Sequence, residues 1–190
     1  MRDASRALIL TFRPEAGHCV PGTDFIVEKM IEIRYAKEED KPEIGRIMKA
    51  VVETGDTYTL ARDTTEDELL RFWFTPGNHT YVAELDDEIV GTFFLRANQP
   101  GQGAHVGNAG YMVKPGIYGK GIGRCMGEWS LDECRRLGFH SLQFNFVVKA
   151  NERAVKLWQG IGMEIIGEIP EAFNHPELGL VNAYIMYRKL

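Results

Sequence analysis

The stretch "GIYGKGIGRC", Gly116 to Cys125, carries four glycines in ten residues and lies between two different periodicities. Before it, "NAGYMVK" reads as a strand; after it, a helical pattern runs to about Leu137. A strand, a glycine-rich loop and a helix in that order point to an α/β domain. At a helix start the first backbone N–H groups have no intrahelical partner, and with the helix dipole they form an anion site. Gly119, Gly121 and Gly123 let that backbone approach a ligand closely, and a phosphate or pyrophosphate is the natural guest. A Walker A loop is excluded because Lys120 is followed by Gly121 and lacks the required G-x-x-x-x-G-K-[ST] frame. A Rossmann G-x-G-x-x-G starting at Gly119 would need glycine where Arg124 stands.

The flanking chain alternates regular elements. "IEIRYA" has the period of a half-buried strand, with Ile31, Ile33 and Tyr35 on one face. Asp40 is placed to cap a helix with Pro42 in its first turn, Ile44, Ile47, Met48 and Val51 on its apolar face, and Gly55 as its stop. Thr65 and Glu68 form a capping box for a short second helix ending at "TPGN". "HTYVAELDDEIVGTFFLRAN" predicts a hairpin turning at Asp86-Asp87. "HSLQFNFVV" places Leu142, Phe144, Phe146 and Val148 on one strand face, with Gln143 and Asn145 on the other. Asn151 opens a further helix, "IGMEIIGEI" returns as a strand, "PEAFNHPELG" reads as a loop, and "LVNAYIMYRK" closes the sheet.

Charge and cysteine content narrow the function. The 190 residues are 44% hydrophobic and 26% charged, ordinary for one globular domain, and the formal net charge of -5 argues against a nucleic-acid surface. Cys19, Cys125 and Cys134 lack zinc-site spacing, and their odd number suits free thiols in a reducing compartment; the expectation is a cytoplasmic protein without a metal. Residues 1–29 differ from the rest. "ALILTF" is too short for a signal-peptide core or a membrane span, and the segment reads as a loose extension before a domain of residues 30–190.

"VKPGIYGKGIGRCMGEW" resembles the acetyl-CoA-binding signature of the GCN5-related N-acetyltransferases (GNAT), a strand followed by [QR]-x-x-G-x-[GA] at the start of a long helix. Tyr118, Gly121 and Gly123 fall on the signature positions, Tyr118 replacing the usual Gln or Arg. "NERAVKLWQGIGMEIIGEI" resembles the family's later helix, turn and strand. The resemblance implies a single-domain α/β GNAT fold, a mixed central sheet flanked by helices, with splayed parallel strands at 108–114 and 140–148. It also implies acetyl-CoA as cosubstrate, its pyrophosphate on the backbone of Tyr118, Gly119, Lys120, Gly121, Ile122, Gly123 and Arg124. Three fragments, "GDTYT", "HVGNAGYMV" and "FNFVVKAN", are further similar to the proline-analogue N-acetyltransferases of yeasts. That similarity places Asn108 and Asn145 at the amino-acid substrate or its reaction and Asn151 at the cofactor.

The implied reaction is direct transfer from the thioester to a neutral amine of a small molecule, an amino acid or proline analogue, with detoxification as its use. A main-chain N–H near Met112 or Val113 would reach the thioester oxygen; one such donor is typically worth about 2.7–4 kcal/mol in the transition state. Many relatives carry a tyrosine acid in the later helix, where this chain has Trp158. For the base, Glu53, Asp56, His105 and Tyr111 are candidates and none stands out, a water ordered by Asn108 being the preferred alternative. Phe72, Trp73 and Phe74 are placed to wall an apolar pocket or to pack beneath the second helix. Peptide or protein amine acetylation and a non-catalytic acetyl-CoA sensor remain open as other readings. Relatives that dimerise through their C-terminal strands imply a homodimer.

Overall fold

A computed structural model describes residues 31–117 and 119–190, so the expectations for residues 1–29, for Met30 as the start of the domain, and for Tyr118 lie outside the described residues. The element order is β1 Glu32–Tyr35, α1 Lys41–Thr54, α2 Glu66–Trp73, β2 His79–Leu85, β3 Glu88–Ala97, β4 Val106–Val113, α3 Ile122–Arg136, β5 Ser141–Val148, α4 Glu152–Gly160, β6 Glu164–His175 and β7 Gly179–Lys189. The described strands form one seven-stranded sheet in the order β1-β2-β3-β4-β5-β7-β6. Every neighbouring pair is antiparallel except β4 and β5, which are parallel.

Local chemistry explains most element ends. Thr65 and Glu68 make the expected capping box, and Asp86 and Asp87 take positive φ values of 55° and 63°, the turn that a two-residue hairpin needs. Asp40 does not cap α1. Its carboxylate accepts from the Lys37 N–H at 2.6 Å and from the Arg34 guanidinium at 2.7 and 2.9 Å, so ion pairing to β1 replaces the cap. The segment after Ile169 is strand rather than loop up to His175. Register breaks between Ile169 and Phe173 absorb Pro170, which has no N–H to donate, before pairing resumes at Phe173 and Val181.

Two apolar layers sandwich the sheet. Ile44, Met48, Leu69 and Trp73 of α1 and α2 pack with Phe94 and Met112 on one face. Met126, Leu131 and Cys134 of α3 and Trp158 of α4 pack with Phe93, Leu95 and Phe144 on the other. Trp73 belongs to the core: it is fully buried, and its indole donates to Thr92 Oγ1 at 2.9 Å. Phe74 lies beneath the Lys41 ammonium, so of the three aromatics Phe72 alone reaches the cleft described below.

Candidate active site

Pairing between β4 and β5 covers only Val106 with Ser141 and Gly107 with Leu142, after which the two strands part into a fork. The side chain of Asn108, 7% exposed, bridges the apex by donating from Nδ2 to the Gln143 carbonyl at 2.9 Å. Its Oδ1 accepts nothing from the described residues and is left to the cleft. Further along β5 a register break between Phe144 and Val147 inserts an extra residue. The simple alternation expected for "FNFVV" therefore fails: Val147 takes the core position, and Phe146 turns toward Phe173, ring centroids 6.4 Å apart.

A cleft of about 870 Å³ follows the fork and takes its lining from α1, β3, β4, α3, β5 and α4. Among its lining are the described residues expected to bind the cofactor or act on the substrate through an asparagine: Asn108, Met112, Val113, Gly119, Lys120, Gly121, Ile122, Gly123, Arg124, Asn145 and Asn151.

At one end the cleft is built from backbone. Gly121 occupies the N-cap of α3 with φ 75° and makes no side-chain cap, while Gly119 has φ 82°. These are left-handed conformations that glycine alone adopts without strain, and an added Cβ at either would meet open space. The first helical hydrogen bond runs from the Cys125 N–H to the Gly121 carbonyl, so the N–H groups of Ile122, Gly123 and Arg124 lie ahead of the helical ladder. This is a fitting cradle for a pyrophosphate. Gly123 answers a different need: a Cβ there would stand 3.1 Å from Leu157 Cδ1, so its bareness seats α4 against α3. Lys120 is exposed, whereas Arg124 is paired with Glu128 at 2.9 Å.

Strand geometry separates Met112 from Val113. The N–H of Lys114 bonds Val90 and that of Asn98 bonds Val106, so with the period of two the even-numbered residues of β4 face β3. The N–H of Met112 is thus used in the β3 ladder, and that of Val113 points toward the fork. The Tyr111 carbonyl, on the fork side, accepts from the Tyr58 hydroxyl at 2.9 Å. Gly110 makes room for that reach, because a Cβ there would lie 2.7 Å from the Phe94 ring and 3.2 Å from the Tyr58 oxygen.

At the other end the cleft is built from side chains. Asn145 accepts from Gln143 Nε2 at 2.8 Å and donates to Asn98 Oδ1 at 2.6 Å. Asn151 caps α4 through the Ala154 N–H at 3.1 Å and donates from Nδ2 to Thr57 Oγ1 at 3.3 Å. Phe72, Phe94 and Phe146 supply apolar walls, and Arg96 and His175 also line the space. His175 Nδ1 accepts from the backbone N–H groups of Glu177 and Leu178, fixing the ring.

Of the four base candidates, Asp56 and Tyr111 line the cleft; Glu53, near Lys49 on α1, and His105, in a surface turn, do not. The Tyr111 hydroxyl is bonded to Ser130 Oγ at 2.6 Å, and burial pushes its pKa well above the usual phenol range, so it stays protonated. Burial does the same to Tyr58, against the smaller opposing pull of its hydrogen-bond partnership with Tyr111. Trp158 packs on Tyr111 and Phe144 at 4.8 and 4.9 Å between centroids and offers no acid. Arg96 had no sequence signal as a site residue, whereas Thr57 and Tyr58 lie in "VVETGDTYTLARDT", the segment after the first helix expected to supply substrate contacts, and His175 lies in "PEAFNHPELG", expected to serve a dimer contact or cover the acceptor.

The strand fork and the backbone anion cradle beside it are the arrangement that the acetyltransferase resemblance implies. The Acetyltransferase (GNAT) family model matches residues 48–163, and the chain belongs to that family. N-acetyltransferase aca1 of Schizosaccharomyces pombe is 29% identical over 176 residues, covering 84% of each chain. A solved GCN5-related N-acetyltransferase from Kribbella flavida is 38% identical, covers 84% of this chain and 98% of its own, and superposes with a TM-score of 0.80. The yncA protein of Salmonella typhimurium, solved with its cofactor acetyl-CoA, shares the fold at 21% identity with a TM-score of 0.74, covering 85% of this chain and 94% of its own. The protein is therefore an acetyl-CoA-dependent N-acetyltransferase.

Proposed function

We propose that the acceptor is a small amine, an amino acid or proline analogue, acetylated by direct transfer within the fork. The observation that carries this reading is how the segment after α1 spans the cleft. Tyr58 is tied to β4 and Thr57 to Asn151 just past β5, so a strap crosses the fork beside the aromatic walls of the cleft. A strap placed in this way suits a small molecule better than an extended peptide.

In this reading the α3 cradle holds the coenzyme A pyrophosphate, Tyr118 and Asn151 are further cofactor-binding residues, and the Val113 N–H stabilises charge developing on the thioester oxygen. Asn108 Oδ1 accepts from the attacking amine and aims its lone pair, and Asn145 holds the acceptor's polar end. As the new C–N bond forms and the C–S bond breaks, the amine proton leaves through water near Asn108 and Asp56, and water returns one to the thiolate, a tolerable leaving group with a parent thiol pKa of about 8.5. We further place the acetyltransferase domain at residues 30–190, in the cytoplasm, with detoxification as its use. Exposed Ile166, Leu178 and Leu180 on and beside β6 and β7 support a homodimer through that hairpin.

Coenzyme A release with mass spectrometry of product tests the reading, offering azetidine-2-carboxylate, cis-4-hydroxyproline, phosphinothricin, polyamines and lysine peptides. An acetylated cyclic imino acid is expected. Product from lysine peptides alone would move the function to peptide amines, and saturable acetyl-CoA binding without any product would leave a sensor.

A further inference from the structure

Arg96 sits at the acceptor end of the cleft as a cation with no ion-pair partner among the described residues. Arg96 and Asn108 are directly opposite in the β3–β4 register, so their side chains leave the same face of the sheet as cross-strand neighbours. The guanidinium carbon lies 5.3 Å from the centroid of the Phe94 ring. That ring is itself fixed edge-on by Trp73 at 4.8 Å and Phe72 at 6.1 Å, and Trp73 is pinned by Thr92. A guanidinium stacked on a rigid aromatic platform keeps its in-plane N–H donors free for a planar, two-oxygen anion. The carboxylates in the same cleft have other engagements: Asp56 accepts from Thr54 at 2.5 Å and Glu152 is paired with Lys156 at 2.8 Å.

We infer that Arg96 is the anchor for the α-carboxylate of the acceptor, which makes the substrate class α-amino or α-imino acids rather than simple amines. Opposed residues on antiparallel strands carry Cβ atoms about 4.5–5.5 Å apart. That spacing suits a ligand whose anionic group and nucleophilic nitrogen flank a single carbon, with the carboxylate on Arg96 and the nitrogen at Asn108 Oδ1. Phe72, Phe94 and Phe146 then receive the remaining apolar body. The inference rests on the small-amine reading of the cleft.

The test compares acceptors that differ only in charge: azetidine-2-carboxylate against azetidine-2-carboxamide, and proline against prolinamide, with wild type, Arg96→Gln and Arg96→Lys. Wild type should prefer the carboxylate of each pair by roughly 10- to 100-fold in kcat/KM, the range expected for a charge-assisted pair. Arg96→Gln should reduce that ratio to within about threefold of unity, and Arg96→Lys, which keeps the charge and loses the fork, should retain part of it. The acetyl-CoA KM and the melting temperature of both variants report whether the cofactor end and the fold are intact. Equal use of both members by wild type, or a preference that survives Arg96→Gln, would overturn the role of Arg96 while leaving the small-amine reading in place. No product from either pair, with lysine peptides acetylated, would remove that reading and this inference with it.

Discussion

The two ends of the cleft are made of different material. The end proposed for the cofactor is main chain: left-handed Gly119 and Gly121, the open N–H groups of α3, and the fork-facing N–H of Val113. The end proposed for the acceptor is side chains drawn from distant parts of the chain, among them Tyr58, Arg96, Asn108, Asn145 and His175. Backbone recognition tolerates side-chain change, whereas side-chain recognition changes with each substitution. In the proposed reading one end serves the cofactor and the other selects the substrate.

Breaking the backbone end should have the largest effect. Gly121→Val forces a β-branched residue into φ 75°, a strain of about 1–3 kcal/mol, and acetyl-CoA affinity measured by calorimetry should fall by roughly 10- to 100-fold. Lys120→Ala, which removes only an exposed side chain from the same loop, should change it by less than about threefold. Equal losses in the two variants would mean that the cradle works through side chains after all.

The apex of the fork comes next. Asn108→Ala leaves the Gln143 carbonyl without its donor in a buried setting, a cost of about 1–3 kcal/mol, seen as a fall of roughly 2–10 °C in the melting temperature. Asn145→Ala, on an exposed network, should stay within about 0.5 kcal/mol of wild type, although both variants lose acceptor turnover. A smaller and more selective effect is expected at the strap. Tyr58→Phe removes one hydrogen bond to Tyr111, worth about 1 kcal/mol, and should raise the acceptor KM roughly fivefold while leaving that for acetyl-CoA nearly unchanged.

Glu133 lies outside the cleft and supplies the control. Burial pushes its carboxyl upward, but hydrogen bonds from Arg136, Tyr81 at 2.6 Å and Tyr35 outweigh this and hold it below the usual carboxylate range. A pKa lowered by folding adds stability that is complete above the unfolded value, about 4.3, and is lost as pH falls through the folded one. The melting-temperature gap between wild type and Glu133→Gln should therefore be full at pH 7 and shrink on acidification below about pH 4. Neither substrate KM should move.

The same contrast explains what was legible in the sequence. Short-range signals mark the Thr65–Glu68 box, the Asp86-Asp87 turn, the positive-φ glycines ahead of α3 and the presence of each strand, though not every register. Asp40 was misread because its partner Arg34 lies on a strand before the helix that it was expected to cap. The strand continuing through Pro170 and the bulge at Asn145-Phe146 were hidden because register breaks depend on the partner strand β7. Asn108 and Asn145 are marked in the sequence only by the resemblance to relatives. Arg96 carried no local mark at all, since its meaning comes from Asn108 across the sheet and from Phe94 beneath it.

The most direct measurement is a two-substrate initial-rate study of Gly121→Val and Arg96→Gln with the best carboxylate acceptor. If the ends divide their labour as described, Gly121→Val raises the KM for acetyl-CoA and leaves that for the acceptor within about threefold, and Arg96→Gln does the reverse. Both constants moving together in both variants would contradict a cleft with a backbone end for the cofactor and a side-chain end for the acceptor.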